Sequence, residues 1–198
     1  MKIIKTSVLI LLLLSTFLSA QFNSSNDIKG LFLSVDVGPR FPIGELSSQQ
    51  TIGVGFDVAI SYTHTSLFPI FYYAKIGYQN YPGDYDYYKI SDHSSLSTNM
   101  IAFNGGARYF FPPLIEDLVL LMPFAEGGIS YSYITKFHQY KIDSNKKNSL
   151  EDFSKLGFHI GGGLSFFLMD IMTSYNYLSG NQYFSIDLRL TITLAVTI

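Results

Sequence analysis

The chain has 198 residues, no cysteine and a formal net charge of -2. A near-neutral chain gives no sign of a nucleic-acid partner, and a chain without cysteine has no disulfides, thiolate metal sites or cysteine nucleophiles. We therefore expect no metal and no cofactor. Charged residues make up 14% of the sequence, against roughly 25% in soluble domains, which indicates that much of the folded surface avoids water.

The first segment has the pattern of a secretory signal peptide. Lys2 and Lys5 give a basic start, an apolar run follows over residues 8–14, and small residues lead up to Ala20. The apolar run is too short for a spanning helix, which needs about 20 residues. We predict a signal peptide over residues 1–20 and one mature barrel domain over residues 21–198, with an uncleaved N-terminal anchor as the alternative.

From Lys29 onward, apolar and polar residues alternate with a period of two, which is typical of β-strands whose two faces meet different surroundings. Turn residues divide this pattern into eight segments. The predicted strands cover residues 30–41, 53–63, 70–81, 99–110, 121–137, 155–167, 171–177 and 184–196. The seventh has the weakest pattern and the eighth the clearest, and Ser179-Gly180-Asn181 predicts a tight turn between them.

The connections between these strands differ in length. Longer polar connections are predicted at residues 43–52, 82–98 and 141–154, and shorter ones at residues 65–69 and 168–170. Transmembrane β-barrels of the bacterial outer membrane have long external loops and short periplasmic turns. The sequence therefore predicts an all-β fold, an eight-stranded antiparallel up-and-down transmembrane β-barrel in that membrane, with both termini on the periplasmic side.

The charged residues indicate which face of each strand meets lipid. The apolar faces carry no Asp, Glu, Lys or Arg, and a basic residue near the bilayer midplane costs about 2–4 kcal/mol. The opposite faces carry Asp36, Arg40, Asp57, Lys75, Arg108, Glu126, Asp187 and Arg189. Because an eight-stranded barrel is filled by its own side chains, we expect these four acids and four bases to pair inside it. We predict a closed interior, with an aqueous pathway as the alternative.

Glycines are interleaved with the charged residues, and we expect them to make room for long side chains and to ease strand curvature. They include Gly55, Gly77, Gly106, Gly128 and Gly161. The reverse arrangement, a soluble barrel like that of lipocalins with an apolar interior, would leave a water-facing surface unusually poor in Lys and Glu.

Aromatic residues are concentrated where the predicted strands meet their connections, as in the girdles of membrane barrels. At the end with the long loops they are Tyr78, Tyr81, Tyr85, Tyr87, Tyr88, Tyr131 and Tyr133, and at the other end Phe68, Phe71, Phe110, Phe111, Phe166 and Phe167. Tyr85, Tyr87 and Tyr88, together with Asp84 and Asp86, could also form a surface recognition patch.

Several segments resemble a known family, the small outer-membrane β-barrel proteins of the opacity-protein and OmpA type. The segments are residues 30–38, 41–44 and 123–128 and the last amphipathic strand. The resemblance implies an outer-membrane location, with membrane lipid and the barrel assembly machinery as partners, and we expect a monomer. The last strand of that family usually ends in an aromatic residue, whereas this chain ends in Thr197-Ile198.

A structural or surface-interaction role, with a partner bound through the loops, is the function that this pattern favours. A carrier of small hydrophobic compounds is one alternative. A barrel enzyme that modifies lipid A is another, and its candidate pairs are His138 with Ser130 or Ser132, and His93 with Ser94, Ser95 or Ser97. No acid is spaced to orient either histidine, so we predict no enzyme activity and no catalytic residue. His159 is expected to be a hydrogen-bonded residue of the interior.

Overall fold

A computed structural model describes residues 29–114 and 121–197. In this part of the chain, eight antiparallel strands pair with their neighbours in sequence, and the first also pairs with the last to close a barrel. The predicted all-β, eight-stranded up-and-down barrel is therefore confirmed. The predicted signal peptide lies outside the described residues.

The strands are β1 (Lys29–Ile43), β2 (Gly53–His64), β3 (Ile70–Pro82), β4 (His93–Phe110), β5 (Leu121–Tyr140), β6 (Ser149–Phe166), β7 (Met169–Leu178) and β8 (Gln182–Thr197). One α-helix, α1 (Tyr85–Ile90), lies between β3 and β4, and single 3-10 turns occupy Leu46–Ser48 and Ile142–Ser144. Across the described ranges, none of the helices has the length and apolar character needed to cross a membrane.

The connections lie at two opposite ends of the barrel. Residues 44–52, 83–92, 141–148 and 179–181 form what we call the loop end. The first and last strand termini and the turn over residues 65–69 lie at the terminal end. The tight turn predicted before β8 is present, since the amide of Asn181 donates to the carbonyl of Leu178 at 2.8 Å and Gly180 has a φ of 75°.

Two predicted loops are shorter than expected. The prediction that residues 93–98 and 149–154 lie in loops is wrong, because β4 starts at His93 and β6 at Ser149. Both segments extend the ladder with β5 beyond the neighbouring strands, through pairs such as Leu96 with His138 and His138 with Ser149. Their serines and charges hide the alternation that marks the rest of each strand.

The two faces of the sheet have opposite surroundings. Outward apolar side chains are about half exposed, with Leu190 at 52% and Ile192 at 54%, whereas Asp36 is 1% exposed and Arg189 is 0% exposed. The structure therefore places the apolar stripe of each strand outside and the charged stripe inside. This sidedness contradicts the soluble, lipocalin-like alternative.

The interior has an aromatic layer near the terminal end. The rings of Phe32, Phe71, Phe110 and Phe124 follow one another there at centroid distances of 5.7, 5.1 and 5.6 Å. We call them the aromatic layer. The prediction that Phe71 and Phe110 belong to an outer girdle is wrong, because they share the inward parity of Lys75 and Arg108 on their strands.

The interior is also filled near the loop end, by a cluster that we call the apolar cap. Its members are Leu46, Tyr81, Met100, Ile134, Leu178 and Tyr183, none more than 3% exposed. Leu46 comes from the connection after β1, and the others are inward residues of the strands. Tyr81 was predicted to lie in the outer girdle, which is wrong because it faces the interior and is 0% exposed.

Replacing an outward residue with arginine tests this sidedness. Leu190→Arg is expected to impair assembly, because arginine near the bilayer midplane costs about 2–4 kcal/mol. The matched control is Ile142→Arg at the loop end, where the isoleucine is 99% exposed and the change should be tolerated. The yield of folded, heat-modifiable protein on a gel measures both, and equal yields would contradict the assigned faces.

Candidate functional site

The eight charged residues predicted for the interior all lie on inward positions of the strands. Seven of them take part in two groups of direct ion pairs, and Lys75 does not. In the first group, Arg40 donates to Asp57 at 2.7 Å and to Asp187 at 2.5 Å. All three side chains are at most 3% exposed, so this guanidinium is shared by two carboxylates away from bulk solvent.

The second group lies nearer the terminal end. Arg189 forms a bidentate pair with Asp36, both contacts being 2.7 Å, and reaches Glu126 at 3.3 Å. Arg108 donates to the same oxygen of Glu126 at 2.8 and 2.9 Å. Charge-assisted, bidentate geometry of this kind is the form in which buried ion pairs are best compensated for lost hydration.

Strand register brings these partners together. Asp36 lies directly opposite Arg189 across the closing pair of strands, and Arg108 lies opposite Glu126. Asp36 also lies opposite Asp57, a like-charged pair that would be unfavourable by itself. Each of these two aspartates instead forms its ion pair with a different arginine, which relieves the repulsion.

The interior also contains Asp170, an acid that was not predicted to lie there. Asp170 is 3% exposed and lies 3.8 Å from both Arg108 and Arg189. It was assigned to a bend, but β7 already begins at Met169 and gives Asp170 the inward parity of Met172 and Ser174. The expected equality of acids and bases is therefore wrong for the described interior, which holds five acids and four bases.

Lys75 and several oxygens remain outside the direct pairs. Lys75 forms no ion pair with any carboxylate of the described residues. The buried Oδ1 of Asn104, Oε1 of Glu126 and Oγ of Ser132 likewise have no hydrogen-bond partner in that part of the chain. Direct pairing thus neutralises most of the interior charge but not all of it.

Two glycines make room for the first group of ion pairs. A Cβ added to Gly55 would lie 2.4 Å from Nε of Arg40, and one added to Gly77 would lie 1.8 Å from Oδ1 of Asp57. Any larger residue would push the charged side chain out of its position. Gly55 and Gly77 are therefore required by the ion pairs beside them.

His159 lies in the interior within a hydrogen-bonded group. Its Nδ1 contacts Oγ of Ser130 at 2.9 Å and its Nε2 contacts the hydroxyl of Tyr73. Because Ser130 bonds to His159, it is not a partner of His138, as the enzyme hypothesis required. The arrangement fits the structural role expected for His159.

A second cluster of titratable residues lies at the loop end, and we call it the histidine clasp. It consists of His93, His138 and Glu151: Nε2 of His93 is 3.1 Å from Nδ1 of His138, whose Nε2 is 3.2 Å from Glu151. Tyr140 packs against His93 at a centroid distance of 4.6 Å. Within the described ranges no group of histidine and acidic side chains could hold a metal ion.

No acid is spaced along the sequence to orient a histidine, yet in the structure Glu151 orients His138. The two residues come together because the β5–β6 ladder places Glu151 opposite Lys136, two residues from His138. The other nitrogen of His138 is occupied by His93, and none of Ser94, Ser95 and Ser97 bonds to either ring in the described residues. The clasp therefore lacks the nucleophile that the enzyme hypothesis needs.

The clasp depends on the protonation of its two imidazoles. The hydrogen bond between Nε2 of His93 and Nδ1 of His138 needs a proton on one of these nitrogens and a lone pair on the other. When both rings are protonated, both nitrogens are donors and the bond is lost. Burial, and to a smaller extent the nearby His138 and Lys146, lowers the pKa of His93 from its ordinary value of 6.5. Because the pKa of His93 is lower in the folded protein, neutral His93 contributes its full stabilisation above pH 6.5. This stabilisation is lost as the pH falls from 6.5 through the lowered pKa.

Two cavities accompany these clusters. A groove of about 470 Å³ lies on the outer wall around Ala74 and Gly105, lined mainly by apolar residues of β1 to β6. A pocket of about 480 Å³ lies at the loop end, and we call it the rim pocket. Its lining is Glu45, Lys136, Glu151, Phe153, Ser154, Lys155, Ser179, Gly180 and Asn181.

Breaking the ion pair that closes the barrel is expected to destabilise it. Arg189→Met leaves Asp36 buried without its bidentate partner, and such a loss costs about 3–5 kcal/mol. The double variant Asp36→Asn with Arg189→Met removes both charges and should recover part of that loss. Urea unfolding in lipid vesicles measures both, and a single variant as stable as the unchanged protein would contradict the pairing.

The clasp gives a prediction for acid titration. By NMR, the imidazole of His93 should titrate with a midpoint below 6.5, and its bond to His138 should disappear on acidification. His138→Gln removes a neighbouring positive charge, so the midpoint of His93 should rise. A midpoint that stays the same in this variant would show that His138 does not act on His93.

Comparison with known proteins supports the fold and nothing finer. No protein-family model matches the sequence, and no curated protein is detectably similar to it. Neisserial surface protein A has a similar structure, with a TM-score of 0.58, 12% identity, and coverage of 84% of this chain and 99% of that chain. This likeness gives the chain the fold of the small eight-stranded outer-membrane barrels, as the sequence resemblance implied.

Two further solved structures have lower scores. Ail, the attachment invasion locus protein of Yersinia pestis, is 11% identical, with a TM-score of 0.48 and coverage of 85% of this chain and 100% of that chain. The N-terminal β-barrel domain of Pseudomonas aeruginosa OprF is 13% identical, with a TM-score of 0.41 and coverage of 81% and 97%.

Proposed function

We propose that the protein is an integral outer-membrane β-barrel with a closed interior, and that it acts at the cell surface through its loop end. The observation that carries the proposal is the filling of the interior along the barrel. The aromatic layer lies near the terminal end, the two groups of ion pairs follow, and the apolar cap lies near the loop end. A barrel filled in this way has no continuous water path.

Orientation follows from the lengths of the connections. The loop end carries three connections of eight to ten residues and the terminal end one, residues 111–120, and this excess is the pattern of the external side of outer-membrane barrels. Export would require the predicted signal peptide over residues 1–20, leaving residues 21–198 as the mature barrel. Membrane lipid and the barrel assembly machinery are then its obligate partners, and the barrel acts as a monomer.

A surface role is supported by the part of the sheet that extends beyond the barrel. We call residues 93–96, 136–140 and 149–156 the loop-end extension. There β4, β5 and β6 continue to pair after the last pairs with β3 and β7, which are Pro82 with Ser97 and Leu178 with Gly157. An ordered sheet that projects from the membrane offers a fixed surface to a partner.

The carrier alternative has one observation in its favour, the apolar groove on the outer wall. That groove faces lipid, and the interior behind it holds the polar side chains of Lys75, Asn104 and Ser130. A carrier needs an apolar route into the barrel, and the apolar cap occupies the loop-end entry. Surface interaction is therefore the better supported function.

Conductance tests the closed interior. The purified, folded protein in planar bilayers is expected to give no steady channel current, because ion pairs and apolar layers fill its interior.

The orientation is tested with single cysteines, which the natural chain lacks. On intact cells, an impermeant maleimide should label Ile142→Cys but not Ser66→Cys. A stable current, or the reverse labelling, would contradict the proposal.

A further inference from the structure

One edge of the loop-end extension is open. β6 pairs with β5 from Ser149 onward, but its pairing with β7 begins only at Gly157. Residues 149–156 therefore have a strand on one side and, within the described chain, none on the other. A row of unpaired backbone N–H and C=O groups is a template for another strand.

The opposite edge of the extension is covered by the chain itself. The hydroxyl of Tyr88, on α1, accepts from the amide of Leu96 at 3.0 Å and donates to its carbonyl at 3.1 Å. Lys141 in turn donates to the carbonyls of Tyr88 and Ser91 at 2.8 and 2.7 Å, which holds the end of α1 in place. The hydroxyl of Tyr88 thus satisfies the backbone groups of Leu96 at the edge of β4, whereas no described strand pairs with residues 149–156 at the edge of β6.

The rim pocket lies along this open edge. It is lined by residues 151 and 153–155 of β6 and by the turn at residues 179–181, where the chain leaves the line of β7. An added strand that continues the direction of β7 would enter this pocket. The Oδ1 of Asn181 is buried at the turn without a hydrogen-bond partner in the described chain.

The charges of the pocket indicate what the added strand carries. Lys136 and Lys155 lie 5.5 and 5.6 Å from the centre of the Phe153 ring, and neither forms an ion pair with a described carboxylate. Of the two acids in the lining, Glu151 already contacts His138 at 3.2 Å. Two lysines around one ring can hold a carboxylate that approaches between them.

We propose that residues 149–156 of β6 bind an extended peptide segment of a partner protein by strand addition, with an acidic side chain of the partner between Lys136 and Lys155. Alternate residues of the added strand face the two sides of the sheet. On the outward side they meet Leu150, which is 64% exposed, so an apolar residue is favoured there. Main-chain hydrogen bonds supply affinity and the side chains supply selectivity.

This inference deepens the proposed surface role and depends on it. The partner is an extended segment in which apolar residues alternate with acidic ones. Polar groups of Glu151 and Asp152 contact their own sheet, with Thr135 donating to Asp152 at 2.7 Å, so they do not block the edge itself.

The experiment uses the full folded chain in lipid nanodiscs and synthetic peptide probes. A peptide of alternating valine and glutamate is compared with one of alternating valine and lysine, and with a valine–glutamate peptide interrupted by proline. Fluorescence anisotropy should show binding of the uninterrupted acidic peptide alone. Hydrogen exchange should show new protection at amides of residues 149–156 and none at residues 93–97.

Charge reversal provides the variants. Lys136→Glu with Lys155→Glu should weaken binding of the acidic peptide by about tenfold and permit binding of the basic one. The matched control is Lys147→Glu, which changes the same charge at the loop end outside the pocket and should leave binding unchanged. Both variants keep the backbone of the edge and should retain heat-modifiable folding.

Several results would overturn the inference. These are binding of neither peptide, equal binding of the proline-interrupted peptide, or protection away from residues 149–156. Protection of those amides without peptide, rising with protein concentration, would assign the edge to a second copy of the chain and would equally overturn it. A folded, non-conducting, surface-exposed barrel that binds no peptide would leave the proposed function in place while removing this inference.

Discussion

The closed hydrogen-bond ladder is the constraint on which the rest of the structure depends. Hydrocarbon offers no partner to a backbone amide or carbonyl, so a sheet can cross it only when its first and last strands join. Here that closure places Asp36 opposite Arg189, and their bidentate pair lies on the seam between β1 and β8. A slip of one residue between these two strands would turn one of the two side chains toward lipid, so the ion pair also fixes the register.

Within the membrane, the same constraint explains why the strands could be predicted from the sequence. Lipid on one side and a filled interior on the other impose a period of two, and this pattern correctly gave eight strands and their order. In the loop-end extension, Ser94 and Glu151 have the inward parity and Asp152 the outward parity, yet all three are exposed, so the pattern is interrupted there. For this reason the beginnings of β4 and β6 were missed, and with them the contact between His138 and Glu151.

The odd or even position of a residue along its strand predicts whether its side chain faces the interior or the lipid better than the type of residue does. Tyr81, Phe71 and Phe110 were assigned to outer girdles because they are aromatic and lie near strand ends, although each shares the parity of inward residues. The partners of each charge could not be predicted, because pairing requires the register and the closure. Arg40 and Asp187 meet across 147 positions of sequence, and Asp170 joins the network only because β7 begins earlier than its pattern indicates.

The filled interior and the open edge at β6 together limit where a partner can bind. A barrel whose interior is occupied can recognise a partner only with its outer surface, and most of that surface is an apolar wall in contact with lipid. Exposed ion pairs at the loop end, such as Lys146 with Asp92, contribute little to order because water screens them. The ladder of β4, β5 and β6, with the hydroxyl of Tyr88 bonded to Leu96 at one edge, provides that order instead, and it leaves the edge of β6 as the place for the recognition that we propose.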